Sequence, residues 1–74
     1  MSNRFYVYKT DDNKYISIKE NRKQGTIDLS KRKSLDNAAY WNGISSAKTW
    51  KSKVLHKYPN SVLTEVKFTL VDPN

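Results

Sequence analysis

Residues 4–19 read RFYVYKTDDNKYISIK, and this stretch decides the fold. Residues 4–8 are rich in aromatic and β-branched side chains, which favours a first strand. The cluster Thr10-Asp11-Asp12-Asn13 favours a turn, because short Asp and Asn side chains bond the local backbone. Residues 14–19 alternate between polar and apolar side chains, so a second strand is expected. The stretch therefore predicts an antiparallel hairpin.

Side chains alternate between the two sides of a strand, so this hairpin has two predicted surfaces. One surface is expected to lie in the core and carries Phe5, Val7, Ile16 and Ile18. The other is expected to face solvent and carries Arg4, Tyr6, Tyr8, Tyr15, Ser17 and Lys19. Three tyrosines would then lie together on the solvent side of the sheet, with basic side chains around them.

The elements outside this hairpin are predicted from turn residues and apolar spacing. We predict a short strand over 26–29, a basic loop over 30–34, a helical turn over 35–41, a helix from Ser45 or Ser46 to about Tyr58, a strand over 62–71 and a frayed tail over 72–74. The helix prediction depends on Ala47, Trp50, Val54 and Tyr58, which recur at helical spacing, and Pro59 should end it.

The predicted order β-β-β-α-β makes residues 1–74 a single α+β domain. One main helix should pack on one face of a small antiparallel sheet of three to four strands. The expected core lies on that face and consists of Phe5, Val7, Ile16, Ile18, Ile27, Leu29, Trp50, Val54, Val66, Phe68 and Leu70.

The composition indicates a small, basic protein with a thin core. The 74 residues include 14 Lys and Arg against seven Asp and Glu, a net charge of +7. Mean hydropathy is −0.86 and the pI is about 9.8. A thin core gains burial by self-association, so we expect a homodimer. The charge favours a polyanionic partner such as DNA, RNA or an acidic protein surface, or else serves solubility alone.

Catalysis finds little support in the sequence. There is no cysteine and one histidine, so neither a thiol nucleophile nor a zinc site is expected. His56 lies among lysines on the predicted helix with no acid one turn away, and we expect it to be solvated. We therefore predict no catalytic residue, metal or cofactor. No apolar run has the length of a membrane span, and we expect the protein to stay in the cytoplasm.

Two groups of basic residues are candidates for contacts with phosphates. Around the third strand these are Lys19, Arg22, Lys23, Lys31, Arg32 and Lys33. On the helix they are Lys48, Lys51, Lys53 and Lys57, in a stretch with no acidic residue. The alternative for both groups is that they form ordinary solvated surface.

The predicted tyrosine surface of Tyr6, Tyr8 and Tyr15 has three possible roles. Exposed aromatic rings that are surrounded by basic residues bind single-stranded nucleic acid by base stacking. They also suit a protein interface, including a dimer seam, or they pack across strands and do nothing more. Tyr40 and Trp41 form a further aromatic pair that either covers the core or contacts a partner.

The chain resembles small accessory proteins encoded by bacteriophages, which are short, single-domain, cysteine-free and rich in Lys, Asn, Ile and Tyr. The resemblance is one of type and covers the whole chain without a specific motif. It implies a counter-defence or host-takeover role in the host cytoplasm. The leading hypothesis is a non-catalytic module that binds RNA or single-stranded DNA. The alternative is an inhibitor of a host protein that handles nucleic acid, such as a replication factor or a defence nuclease.

Overall fold

The computed structural model describes residues 3–68 of the chain. The elements are β1 (Asn3–Lys9), β2 (Tyr15–Asn21), β3 (Thr26–Arg32), a 3₁₀ helix (Leu35–Asn37), α1 (Ile44–Thr49), α2 (Lys51–Lys57) and β4 (Val62–Phe68). The four strands form one antiparallel sheet in the order β3-β2-β1-β4. The predicted α+β class and element order are confirmed. The predicted end of the last strand, the core position Leu70 and the tail lie outside the described residues.

The sheet consists of two well-paired ribbons that separate at one end. β1 pairs with β4 along its whole length, and β2 pairs with β3 along its whole length. Between the two ribbons, β1 and β2 are paired at Lys9 and Tyr15. Beyond that pair the segment 39–41 lies between them. The Tyr6 N–H donates to the Trp41 carbonyl at 2.8 Å, and the Trp41 N–H donates back at 3.0 Å. The Ala39 N–H donates to the Ile16 carbonyl at 3.0 Å, so this segment bridges both ribbons.

The length of the first loop determines which side chains face the helices. The Thr10 N–H donates to the Lys14 carbonyl at 2.8 Å, so Lys14 belongs to the loop and Lys9 is paired with Tyr15. Asn13 takes the left-handed conformation that the turn needs, with φ of 61°. A five-residue loop places odd-numbered residues of both strands on the same face. The predicted four-residue turn would have matched odd with even positions, and a one-residue slip reverses every side chain.

This register corrects the predicted surfaces of the sheet. The helix face carries Tyr6, Tyr8, Ile16, Ile18, Leu29 and Leu63, and the opposite, open face carries Phe5, Val7, Lys9, Tyr15, Ser17, Arg32, Val66 and Phe68. Tyr6 and Tyr8 are therefore buried, with exposures of 7% and 1%, whereas Phe68 is 42% exposed. The prediction that Tyr6 and Tyr8 point away from the helix was wrong.

The main core lies between the helix face and the two helical segments. Tyr8, Ile16, Leu29 and Val54 are buried there, and Ile18, Trp41, Trp50, Tyr58 and Leu63 pack around them. The Tyr8 ring meets the Trp41 ring edge-on at 5.6 Å. Its hydroxyl donates to the Ala47 carbonyl at 2.5 Å, which satisfies the buried phenol.

The predicted core residues divide between the two faces. Val7, Ile16, Leu29 and Val54 are buried as expected, and Phe5, Ile18, Trp50 and Val66 are half-buried. However, Phe5, Val7, Val66 and Phe68 lie on the face opposite the helices. Val7 is fully buried there, so this face is open only in part. Ile27 is 42% exposed because β3 is an edge strand, so that prediction was wrong.

The main helix has the predicted apolar stripe but begins earlier than predicted. Ala47 and Val54 are fully buried. The Gly43 carbonyl accepts the Ala47 N–H, which makes Gly43 the N-cap in place of Ser45 or Ser46. The helix is interrupted at Trp50, where α1 gives way to α2. It ends before Pro59 as predicted, with Tyr58 outside helical geometry.

The predicted helical turn over 35–41 is restricted to the 3₁₀ helix. The Ser34 hydroxyl accepts the Asp36 N–H and caps its start. Residues 39–41 are extended because their backbone groups bond to β1 and β2 instead of to one another. Trp41 consequently joins the core on the helix face, and Tyr40 lies on the open face.

Tyr8→Phe tests the inward position of this tyrosine. It should lower the free energy of unfolding by about 1 kcal/mol, because the Ala47 carbonyl loses a buried donor. Burial raises the pKa of the Tyr8 phenol above its ordinary value of 10.0. The contribution of the phenol is therefore fully present below pH 10.0 and is lost as pH rises through the folded-state pKa. Urea denaturation of both proteins should show the stability difference shrinking in that alkaline range. Equal stabilities at all pH values would contradict the inward placement.

Candidate nucleic-acid interface

The predicted tyrosine surface does not exist in this fold. Of its three members, Tyr15 alone lies on the open face, where it is half-buried between Lys9 and Arg32. Tyr6 and Tyr8 are enclosed beneath the helices. Neither can stack a base or form a dimer seam without unfolding the core.

A different aromatic cluster occupies the open face. The Phe5 ring lies 5.7 Å from the Tyr40 ring and 5.6 Å from the Phe68 ring, measured between centroids. Tyr40 is 63% exposed and Phe68 is 42% exposed. We call Phe5, Tyr40 and Phe68 the aromatic surface. Single exposed apolar residues are ordinary, but a contiguous exposed cluster marks a binding surface.

A shallow groove of about 450 Å³ runs along the aromatic surface. Besides the three rings it is lined by Leu35, Asp36, Ala38 and Asn42. The Asp36 carboxylate accepts hydrogen bonds, and the Asn42 amide both donates and accepts them. An apolar groove with a few polar groups at its rim has the general character of a ligand site.

Two basic residues stand on the same face of the sheet. Lys9, Tyr15 and Arg32 lie side by side across β1, β2 and β3, with neighbouring strands about 4.8 Å apart. Phe5 lies four residues before Lys9 on β1, a separation of about 13 Å. Neither Lys9 nor Arg32 forms an ion pair with an acidic residue among residues 3–68. The open face therefore combines exposed rings with uncompensated positive charge.

The predicted basic loops lie at opposite ends of the β2–β3 ribbon. Arg22 and Lys23 occupy the connecting turn, where the Asn21 side chain accepts the Lys23 N–H and Gly25 has a φ of 63°. Arg32 and Lys33 lie at the other end. The seven residues of β3 separate the two groups by roughly 20 Å. They can contact different phosphates of one strand but not the same phosphate.

Lys31 is a structural residue, contrary to its predicted place in a solvated loop. Strand β3 continues to Arg32, because residues 30–32 pair with residues 15–17 of β2. Lys31 lies opposite Ile16, and its Nζ lies 3.1 Å from the Asp12 carboxylate and 5.9 Å from the centre of the Tyr58 ring. A hydrogen bond from Thr10 and then the contact with Lys31 lower the pKa of Asp12 from 3.8 to about 2.

Two of the four helix lysines also contact their own chain. The Lys53 Nζ lies 4.9 Å above the Trp50 ring. The Lys57 Nζ donates to the Leu29 carbonyl at 2.6 Å. Lys48 and Lys51 are exposed and form no ion pair with described residues. Lys48 and Lys51 are therefore available to bind a phosphate, whereas Lys53 and Lys57 would have to leave their contacts with Trp50 and Leu29.

A second groove, of about 630 Å³, separates α2 from the outer edge of β3. It is lined by Ile27, Asp28, Leu29, Ser52, Lys53, Leu55, His56 and Lys57. His56 is exposed within it, and residues 3–68 contain no group of three His, Cys, Asp or Glu side chains suited to a metal. The groove is basic on its helix side and apolar at its floor.

The sequence did not predict the residues that form the open face. Phe5 and Phe68 were expected in the main core, and no role was assigned to Lys9. Tyr40 was assigned to core cover as the first of two options. The length of the loop between β1 and β2 was the signal that could have located them, because it sets which residues of β1 face outward.

Comparisons with protein-family models, curated proteins and solved structures gave no match for this chain. Within residues 3–68 no helix has both the length and the hydropathy needed to cross a membrane.

Replacing Asp12 tests the contacts of its carboxylate. Asp12→Asn should destabilise the fold, because the carboxylate accepts a hydrogen bond from Thr10 and pairs with Lys31 and Lys14. A lowered folded-state pKa means that the contribution of Asp12 is present above 3.8 and is lost as pH falls toward about 2. Thermal melts of wild-type and variant should therefore converge over that range. Asp11→Asn, a neighbouring change, serves as the control. A stability difference that persisted unchanged through the acid range would contradict the pairing.

Proposed function

We propose that this chain is a non-catalytic module that binds single-stranded nucleic acid, RNA or DNA, across the open face of its sheet. The observation that carries the proposal is the aromatic surface, exposed on the same face as Lys9 and Arg32. Bases stack on aromatic rings, and phosphates pair with basic side chains beside them. Both halves of this chemistry are available on one face.

Stacking suits the aromatic surface because its rings are rigid and close together, and two of them, Tyr40 and Phe68, are exposed. Each stacked base contributes about 1 to 3 kcal/mol. The Asp36 and Asn42 side chains line this groove, so a base that enters it would meet a carboxylate acceptor and an amide. Contacts with phosphates position a strand, whereas contacts with base edges discriminate among sequences. The aromatic groove would therefore supply any sequence preference.

Phosphate contacts would come from basic residues whose side chains contact no acidic residue, aromatic ring or carbonyl among residues 3–68. Among the predicted sites these are Lys19, Arg22, Lys23, Arg32, Lys33, Lys48 and Lys51, to which the structure adds Lys9. The net charge of +7 attracts a polyanion from a distance and speeds the encounter. Lys31 and Lys57 are tied to Asp12 and Leu29, so we assign them to the fold.

A second candidate function is the inhibition of a host protein that handles nucleic acid, as in the bacteriophage accessory proteins that the chain resembles. The groove between α2 and β3 favours it, because basic side chains of α2 lie beside the edge strand β3. An acidic extended segment of the host protein would fit those groups. Either function would be exercised in the cytoplasm, or in the host cytoplasm for a phage-encoded chain.

Removing exposed rings tests base stacking. Tyr40→Ala and Phe68→Ala should each weaken binding of a short single-stranded oligonucleotide by about tenfold, because each removes a stacking ring. Fluorescence anisotropy with labelled RNA and DNA gives the affinities. Ile44→Ala is the matched control, since Ile44 is 45% exposed and outside the aromatic surface. Unchanged affinity in both ring variants would reject the proposed stacking.

The salt dependence of binding tests the phosphate contacts. Arg32→Ala should reduce the slope of log affinity against log salt by about one, similarly for all base sequences. Arg4→Ala is the matched control, because it removes an arginine that is paired with Glu65 at 3.7 Å. Equal slopes for Arg32→Ala and wild-type would exclude Arg32 from the interface. Binding to a protein with little salt dependence would favour the second candidate instead.

A further inference from the structure

Strand β4 lies at one edge of the sheet, and the pairing of β1 fixes the direction of its backbone groups. Tyr6 exchanges both of its backbone hydrogen bonds with Trp41, so these groups point away from β4. Glu65 lies directly opposite Tyr6. In an antiparallel ladder, opposed residues either bond each other or both point outward. The N–H and C=O of Glu65 therefore point to the outer edge, as do those of Leu63 and Lys67 by alternation.

The outer edge of β3, by contrast, is partly closed by the chain itself. The Leu29 carbonyl accepts hydrogen bonds from Lys57 and Tyr58. Among the hydrogen bonds of residues 3–68, none uses the outward groups of Leu63, Glu65 or Lys67. An open strand edge pairs readily with another strand. β4 is therefore the edge available for intermolecular pairing.

We propose that β4 pairs antiparallel with β4 of a second copy of this chain, in a register centred on Val66. Residues whose backbone groups point outward must bond across the new interface, so odd-numbered residues of one β4 lie opposite odd-numbered residues of the other. The two-fold axis therefore passes through a residue and not between two residues. Centring on Glu65 would place two carboxylates together, and centring on Thr64 would place Glu65 against an apolar Leu63. Centring on Val66 places each Glu65 opposite the partner's Lys67, in addition to the contact of Glu65 with Arg4 of its own chain at 3.7 Å. Charge complementarity between the strands selects this register.

The same register also extends the open face. Val66 meets its own copy, and Phe68 lies across from the partner's Thr64, which covers part of the exposed Phe68 ring. A two-fold axis perpendicular to the sheet keeps both open faces on the same side. The sheet becomes eight-stranded, and the two aromatic surfaces lie next to each other. The pairing rests on β4 alone and not on the proposed binding of nucleic acid.

Cysteine cross-linking tests the register directly, since the chain contains no cysteine. Residues opposed without mutual hydrogen bonds have Cα atoms about 4.5 Å apart, within the range of a disulfide. Val66→Cys should therefore give a disulfide-linked dimer on mild oxidation, without nucleic acid present. Thr64→Cys and Glu65→Cys report the two other registers and should cross-link much less. Faster cross-linking at either of these positions, or equal rates at all three, would overturn the proposal.

Charge reversal tests the pairing of Glu65 with Lys67. Lys67→Glu should raise the dimer dissociation constant by about tenfold or more. The new carboxylate lies opposite Glu65 across the interface, and the two-fold symmetry repeats this repulsion at a second place. Adding Glu65→Lys to that variant should restore dimerisation. Lys48→Glu makes the same charge change on α1 and should leave it unaltered. Sedimentation equilibrium gives the dissociation constants. A monomeric wild-type chain, or a double variant no better than Lys67→Glu, would contradict the interface.

Discussion

The pairing of Lys9 with Tyr15 across a five-residue loop is the constraint on which the rest of the structure depends. It directs Tyr8 toward the helices, where the phenol bonds the Ala47 carbonyl and packs against Trp41. It simultaneously directs Phe5 to the opposite face. A loop one residue shorter would exchange these roles and require a different core.

Two consequences of this register leave aromatic and basic side chains on the open face. The segment that follows the 3₁₀ helix lies between β1 and β2, which places Trp41 in the core and Tyr40 outside. The small core accepts two buried tyrosines on the helix face and leaves Phe68 partly exposed on the other. Aromatic area that the fold does not bury therefore lies on the same face of the sheet as Lys9 and Arg32, with Phe5 about 13 Å from Lys9 along β1.

Much of the fold could be predicted from local patterns, whereas the orientation of β1 could not. Ala47 and Val54 lie at helical spacing and Pro59 ends the helix, so the helix follows from sequence. Residues 5–8 are aromatic or apolar at every position, so either face could have been the buried one. Lys31 looked like part of a solvated loop, because its contacts with Asp12 and Tyr58 come from distant parts of the chain. Long-range partners of this kind leave no local signal.

Binding of single-stranded nucleic acid to the open face can be tested by NMR titration. Backbone and aromatic resonances of the protein would be followed as a short single-stranded oligonucleotide is added. We expect the largest shifts at Phe5, Tyr40 and Phe68, with smaller ones at Tyr15 and Arg32. Shifts confined to the groove between α2 and β3, or no shifts at all, would contradict it.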